Sequence, residues 1–98
     1  DFDWEYPNRI GLSCNAISPS DSANFLLFLQ ELREHSTVVQ LEMNLVVTAA
    51  VGLTPFAGPD GSPMEDVAAF AEVLDHIEIM AYDVWGSWSS TVGPNAPL

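Results

Sequence analysis

Apolar and polar residues alternate strictly over the first six positions, with Phe2, Trp4 and Tyr6 on one side and Asp1, Asp3 and Glu5 on the other. A period of two marks a β-strand with one buried face, and here it sets three carboxylates on the opposite face. Pro7 ends the strand, and Asn8 to Ser20, rich in Asn, Ser, Gly and Pro, reads as a loop. The period then changes. Phe25, Leu26, Phe28, Leu29 and Leu32 recur at helical spacing, which predicts an amphipathic helix over 21–34 with Ser20 or Asp21 as its N-cap. The run Leu45 to Val51 is rich in β-branched residues and closes at Gly52 and Pro55, as a buried parallel strand would. Ser62-Pro63-Met64-Glu65 has the form of a capping box with proline in the first helical position. It predicts a second helix burying Val67, Phe70, Ala71 and Leu74. Ile77 to Asp83 alternates again, with Glu78, Met80 and Tyr82 on one face and Ile77, Ile79 and Ala81 on the other. From Val84 to Leu98 the chain is a loop carrying Trp, Gly, Ser and Pro.

The order strand, helix, strand, helix, strand defines an α/β fold with three parallel strands and two helices. Three parallel strands leave two unpaired sheet edges, and parallel sheets are normally covered or closed. We therefore expect a fragment of a larger domain, and a (β/α)8 barrel, which takes about 250 residues, is the natural parent. Residues 1–98 would be one part of such a domain.

Charge narrows the partners. The 98 residues carry 14 acidic side chains and two basic ones, Arg9 and Arg33, for a formal net charge of −12. Phosphate recognition needs clustered Lys and Arg, so nucleic acid is excluded, and an anionic membrane surface is a poor partner for the same reason. The longest apolar stretch, Leu45 to Phe56, is too short and too interrupted to span a bilayer. With 48% hydrophobic and 16% charged residues the chain has the balance of a packed, soluble protein rather than a disordered one. Cys14 stands alone and forms no disulfide within these residues. No obligate protein partner is indicated, and nothing in the composition asks for a cofactor.

Functional side chains of α/β folds lie at the carboxyl ends of strands. Two such ends here are polar and aromatic: Asp1-Phe2-Asp3-Trp4-Glu5-Tyr6-Pro7, and Met80-Ala81-Tyr82-Asp83-Val84-Trp85-Gly86-Ser87-Trp88. Like charges a few ångströms apart resist joint ionisation, so a row of three acids favours one that keeps its proton. A carboxylic acid protonated near neutral pH is what a glycosidase needs to protonate a leaving oxygen. Trp85 and Trp88 offer flat faces of the kind on which sugar rings stack. A metal site is the weaker reading, because oxygen-ligand cages add Gly, Asn or Asp at spacings absent here, and the sixth-position Gly of an EF-hand is missing. A merely solvated acidic face is weak too, since Phe2 and Trp4 demand burial behind it.

The first of these segments resembles the Asp-x-Asp-x-Glu signature of the glycoside hydrolase family 18 chitinases, and Met80-Ala81-Tyr82-Asp83 resembles the Met-x-Tyr-Asp strand end of the same family. The tail, Gly86-Ser87-Trp88 with Gly93 to Leu98, is similar to the loop that follows in those enzymes, and the style is most similar to the fungal ones. The signature's further Asp and Gly ahead of Asp1 are absent, as the chain starts too late. The resemblance implies the fourth, fifth and sixth strands of a (β/α)8 barrel, an extracellular parent acting on chitin or chitooligosaccharides, and a fragment inactive by itself. It implies Glu5 as general acid, Asp3 as the carboxylate that orients Glu5 and holds the substrate acetamide N–H, and Asp1 as an inner partner sharing a proton with Asp3. It implies that Tyr82 binds the acetamide carbonyl and Asp83 fixes a distorted sugar; Met80, on the inward face, reads as pocket lining, and Trp88 as either a sugar platform or simple loop packing. The family uses the substrate's own acetamide as nucleophile.

Two further readings share the fold. A chitin-binding lectin lacks the acid at the Glu5 position, whereas the row here is intact, and an endo-β-N-acetylglucosaminidase acting on N-glycans uses a similar row. The remaining marked residues read as structural. Trp4 and Tyr6 would pack on the neighbouring helix, Glu78 would be paired one layer below Met80, and His35 and His76 would cap helix C-termini with partial positive charge.

Overall fold

The computed structural model describes residues 1–40 and 45–97; Leu98, the last residue of the tail noted above, lies outside them. Six elements follow in order: β1 (Phe2–Asp3), α1 (Asp21–Glu34), α2 (Ser36–Gln40), β2 (Thr48–Val51), α3 (Ala68–Ala71) and β3 (His76–Ile79). The strands form one parallel sheet in the order β1-β2-β3. Phe2 stands opposite Ala49 and Ile77, and Asp3 opposite Ala50 and Glu78. The short helix α2 is an addition to the expected plan.

The apolar face of the sheet is where the core lies. Phe25 and Leu29 of α1, Val47 and Ala49 of the middle strand, and Phe70, Val73 and Leu74 form one buried cluster. Phe2 meets Phe25 and Phe28 edge-on at centroid distances of 5.9 and 5.3 Å, and Trp4 meets Phe25 at 5.7 Å. Such contacts hold the strand and helix at a fixed distance. Behind them Phe56 stacks on Phe70 at 4.0 Å.

Every strand is shorter than its pattern, and the hydrogen bonds say why. After Trp4 the chain turns: Tyr6 and Arg9 exchange backbone bonds of 3.3 and 3.2 Å, so the ladder stops although the alternation runs on. At the start of the middle strand the Val47 N–H donates to the Asp75 carboxylate at 2.7 Å, a side-chain tether where a ladder bond was expected. Beyond Ile79, Met80 still donates to the Val51 carbonyl at 2.8 Å, but Ala81 turns back to Ile79 and Asp83 adopts a positive φ of 51°.

The expected second helix is corrected most. Pro63 pairs with Ala57 in an antiparallel bridge, and Met64 donates to the Phe56 carbonyl, so the capping-box residues belong to a small reverse turn over 56–64. Gly61, with φ of +80°, closes that turn. Helix α3 starts only after Asp66, whose carboxylate accepts the Ala68 N–H at 2.8 Å. Of the expected stripe Phe70 and Leu74 are buried, whereas Val67 and Ala71 are exposed and Val73 takes the vacant core position.

Ser20 is the N-cap of α1, one of the two residues expected there. Neither Ser20 nor Asp21 bonds the first helical turn by its side chain; the Asp21 carboxylate instead accepts the N–H groups of Ser18 at 2.8 Å and Asn8 at 3.1 Å. It latches the preceding loop onto the helix. His35 is the C-cap as expected: its backbone N–H donates to the Leu32 carbonyl and its ring Nδ1 accepts the Thr37 N–H at 3.3 Å. His76 belongs to β3, not to a helix end, because α3 has already finished at Ala71; its ring lies 3.6 Å from the Glu78 carboxylate.

Arg33 fastens the amino-terminal side of the sheet. Its guanidinium donates to the carbonyls of Val73 and Leu45 at 2.9 and 2.6 Å and to the Asp75 carboxylate at 2.6 Å. The Val47 N–H first, and then Arg33, hold the Asp75 carboxyl below its ordinary range. A carboxyl whose folded pKa is depressed lends stability above its unfolded value, about 4, and loses it as pH falls through the folded value. Asp75→Asn in the full-length protein should therefore lower the melting temperature at neutral pH and narrow the gap to wild type below about pH 4. A gap that stays constant with pH would contradict this tether.

Candidate active site

Two levels of side chains stand on the concave face of the sheet. Lowest, Asp1 accepts the Thr48 hydroxyl at 2.6 Å. Above it Asp3 shares a row with Ala50 and Glu78. Glu78 thus stands level with Asp3, one layer below Met80 as expected. Glu5, Gly52, Met80 and Tyr82 follow the carboxyl ends of the three strands. The middle strand contributes only Thr48, Ala50 and Gly52 to this face, and such small residues leave room in front of the acids.

Asp1, Asp3 and Glu5 are all exposed. Among the described residues they do not bond to one another, and no three metal-ligating side chains converge on one point. They run up the strand as a ladder. A hollow of about 480 Å³ opens beside them, lined by Asp3, Trp4, Glu5, Gly11, Leu12 and Asn15.

Tyr6 corrects the sequence reading. It does not pack on the helix; its ring lies against Gly52, with a Cβ there 3.6 Å away, and its hydroxyl faces the Glu5 carboxylate. Burial first, then the hydrogen bond and charge of Glu5, with Tyr82 and Asp3 adding to it, push the Tyr6 phenol above its ordinary range. It therefore remains a neutral donor at physiological pH. These couplings bring Asp3, Glu5, Tyr6 and Tyr82 into one neighbourhood. The alternation did place Tyr6 with Phe2 and Trp4, and only the turn after Glu5 reveals that it leaves that face.

The other expected residues lie farther out. Met80 is half-buried, while Tyr82 and Asp83 are exposed, with Asp83 at the left-handed bend that ends the strand. Trp88 is 71% exposed and covers Gly86, where any Cβ would run into its ring. Trp85 covers Gly93 in the same way, and Val84 donates to the Asn95 carbonyl at 3.1 Å, closing the tail into a loop. Among the described residues no hydrogen bond joins Asp83 or Trp88 to the carboxylate ladder.

Parallel strands with outer helices, and acids at the carboxyl end of one strand, are what a segment of a (β/α)8 barrel presents at its functional end. The model of the glycosyl hydrolases family 18 matches residues 1–98, and the chain belongs to that family. A chitinase-like effector of Moniliophthora perniciosa is 49% identical over 98 residues, which are all of this chain and 22% of that protein. A crystal structure of a chitinase from Rhizomucor miehei superposes with a TM-score of 0.86 at 38% identity, covering 98% of this chain and 25% of that one. A group IV chitinase of Ostrinia furnacalis, solved with allosamidin, superposes with a TM-score of 0.68 at 35% identity over 98% of this chain and 23% of that one. The chain thus spans about a quarter of the proteins it matches. The three strands are part of the TIM-barrel fold of these chitinases.

Proposed function

We propose that these 98 residues supply the fourth to sixth strands and the catalytic acid of a chitinase barrel, which cleaves β-1,4-linked N-acetylglucosamine chains outside the cell. The observation that carries this reading is the intact row Asp1, Asp3, Glu5 at the end of β1, with Tyr6 and Tyr82 beside its upper end. That the Ostrinia furnacalis chitinase was solved with allosamidin supports a bound ligand in a protein of this fold.

In the proposed reaction Glu5 gives its proton to the glycosidic oxygen as the bond from that oxygen to the anomeric carbon breaks. The acetamide oxygen of the same sugar forms a bond to that carbon from the opposite face, closing a ring. Asp3 accepts the acetamide N–H and offsets the positive charge that develops on it, while the Tyr82 hydroxyl donates to the acetamide oxygen. Water then attacks the anomeric carbon, Glu5 takes back a proton, and the ring opens with the β configuration retained. Asp1, bonded to Thr48, adds negative charge below Asp3, Asp83 and Met80 shape the sugar pocket, and Trp88 offers a stacking face.

Because the nucleophile belongs to the substrate, the full-length protein should hydrolyse N-acetylated chitooligosaccharides and leave the fully deacetylated chains untouched. Equal rates on both, read by product chromatography, would overturn the acetamide mechanism. Two relatives are named chitinase-like effectors rather than chitinases, and the second reading of this fold is chitin binding without hydrolysis. Binding of the N-acetylated chains with no turnover by the wild-type protein would select it.

A further inference from the structure

Glu5 is held from behind by a loop that the functional reading leaves idle. Its carbonyl accepts the side-chain amide of Asn15 at 3.2 Å. Gly11 lies so close that an added Cβ would stand 3.0 Å from the Glu5 carbonyl carbon, 3.4 Å from its Cβ, and nearer still to its carbonyl oxygen. Only glycine fits such an approach to backbone.

The loop reaches this position by anchored steps. Asn8 is buried, donates its side-chain amide to the Gly58 carbonyl at 2.7 Å, and gives its N–H to Asp21, which fixes the turn over 6–9 to α1 and to the 56–64 turn. The chain folds back from that turn over Glu5. Asn15 is then oriented by a turn of its own, its N–H donating to the Leu12 carbonyl at 2.9 Å. Leu12, Gly11 and Asn15 form one wall of the hollow whose other wall is Asp3, Trp4 and Glu5.

We propose that Gly11 and Asn15 are positioning residues for the catalytic acid: they fix the Glu5 backbone and so the height at which its carboxyl meets the glycosidic oxygen. This rests on the assignment of Glu5 as acid. Both act on Glu5 through its backbone, so the effect should fall on the chemical step more than on sugar binding. Misplacing a reacting group by about 1 Å costs up to about a hundredfold in rate.

The test uses the full-length protein with a chitooligosaccharide at saturating and limiting concentrations, and a thermal melt of each variant. Asn15→Ala removes the donor, and Asn15→Asp keeps the shape but turns an acceptor toward the carbonyl. Both should lower kcat about tenfold with KM within about twofold of wild type. Gly11→Ala should lower kcat by about ten- to a hundredfold in the same manner. Wild-type kcat in Asn15→Asp, or a loss confined to KM, would overturn the proposal, and the Asn15 pair decides it even where Gly11→Ala does not fold. Glu5→Gln in the same assay separates the two levels. If it is inactive while the Asn15 variants match wild type, positioning fails and the acid assignment stands; if it is active, the acid assignment itself fails.

Discussion

Replacing Glu5 by Gln in the full-length protein should lower turnover of a chitooligosaccharide by about a thousandfold or more, within or above the span general acid catalysis usually provides. Glutamine keeps the shape and polarity of the side chain but has no proton of suitable acidity to give the leaving oxygen. The surroundings of Glu5 make the change local. Tyr6 stays beside the side chain in either form, and the contacts of Gly11 and Asn15 are with the Glu5 backbone, which the substitution does not alter. The melting temperature should accordingly stay close to that of wild type. A large loss of stability would mean that the carboxylate is part of the fold's support instead of its chemistry.

Asp3→Asn should cost about a hundredfold in kcat, the scale of removing one group that stabilises charge in a transition state. Asp3 sits between Phe2 and Trp4, both anchored on Phe25, so its backbone is fixed and the substitution changes charge alone. An asparagine can still accept the acetamide N–H through its carbonyl, but it no longer offsets the positive charge that forms when the acetamide oxygen attacks. The loss should therefore appear in kcat more than in KM. Glu78 stands level with Asp3 across Ala50 but on another strand, so it does not share the position of Asp3 beside Glu5. An Asp3→Asn variant with wild-type kcat would remove Asp3 from the mechanism.

How much of this was legible in the sequence depends on whether the signal was local and periodic. Helix α1 was, with both ends in place, because five apolar residues from Phe25 to Leu32 mark one face over about two turns. The parallel order of the strands followed from the order of strand and helix patterns, and the common face of Asp1 and Asp3 from the period of two. The second helix misled because Ser62-Pro63-Met64-Glu65 satisfies a local rule that long-range pairing overrides: Pro63 meets Ala57 and Met64 meets Phe56 before any helix can start. Tyr6 misled for a related reason, since alternation continues in the letters after the chain has already turned.

The family resemblance pointed to Glu5 and Asp3 but not to what holds them. Asn15 and Gly11 act on a backbone carbonyl, and Arg33 joins residues far apart in the chain through two carbonyls and Asp75. No periodicity or motif records such bonds. The acidity of the chain also divides by structure: Asp21 latches a loop, Asp66 caps a helix, Asp75 ties two strands, and Asp1, Asp3 and Glu5 form the ladder.

The central claim is that Glu5 drives the chemistry of a sugar site it does not build, and one preparation tests it. Calorimetric titration of full-length Glu5→Gln with an N-acetylated chitooligosaccharide, followed by product analysis of the same mixture, should show binding close to wild type with no hydrolysis. Hydrolysis at a rate near wild type would contradict the account.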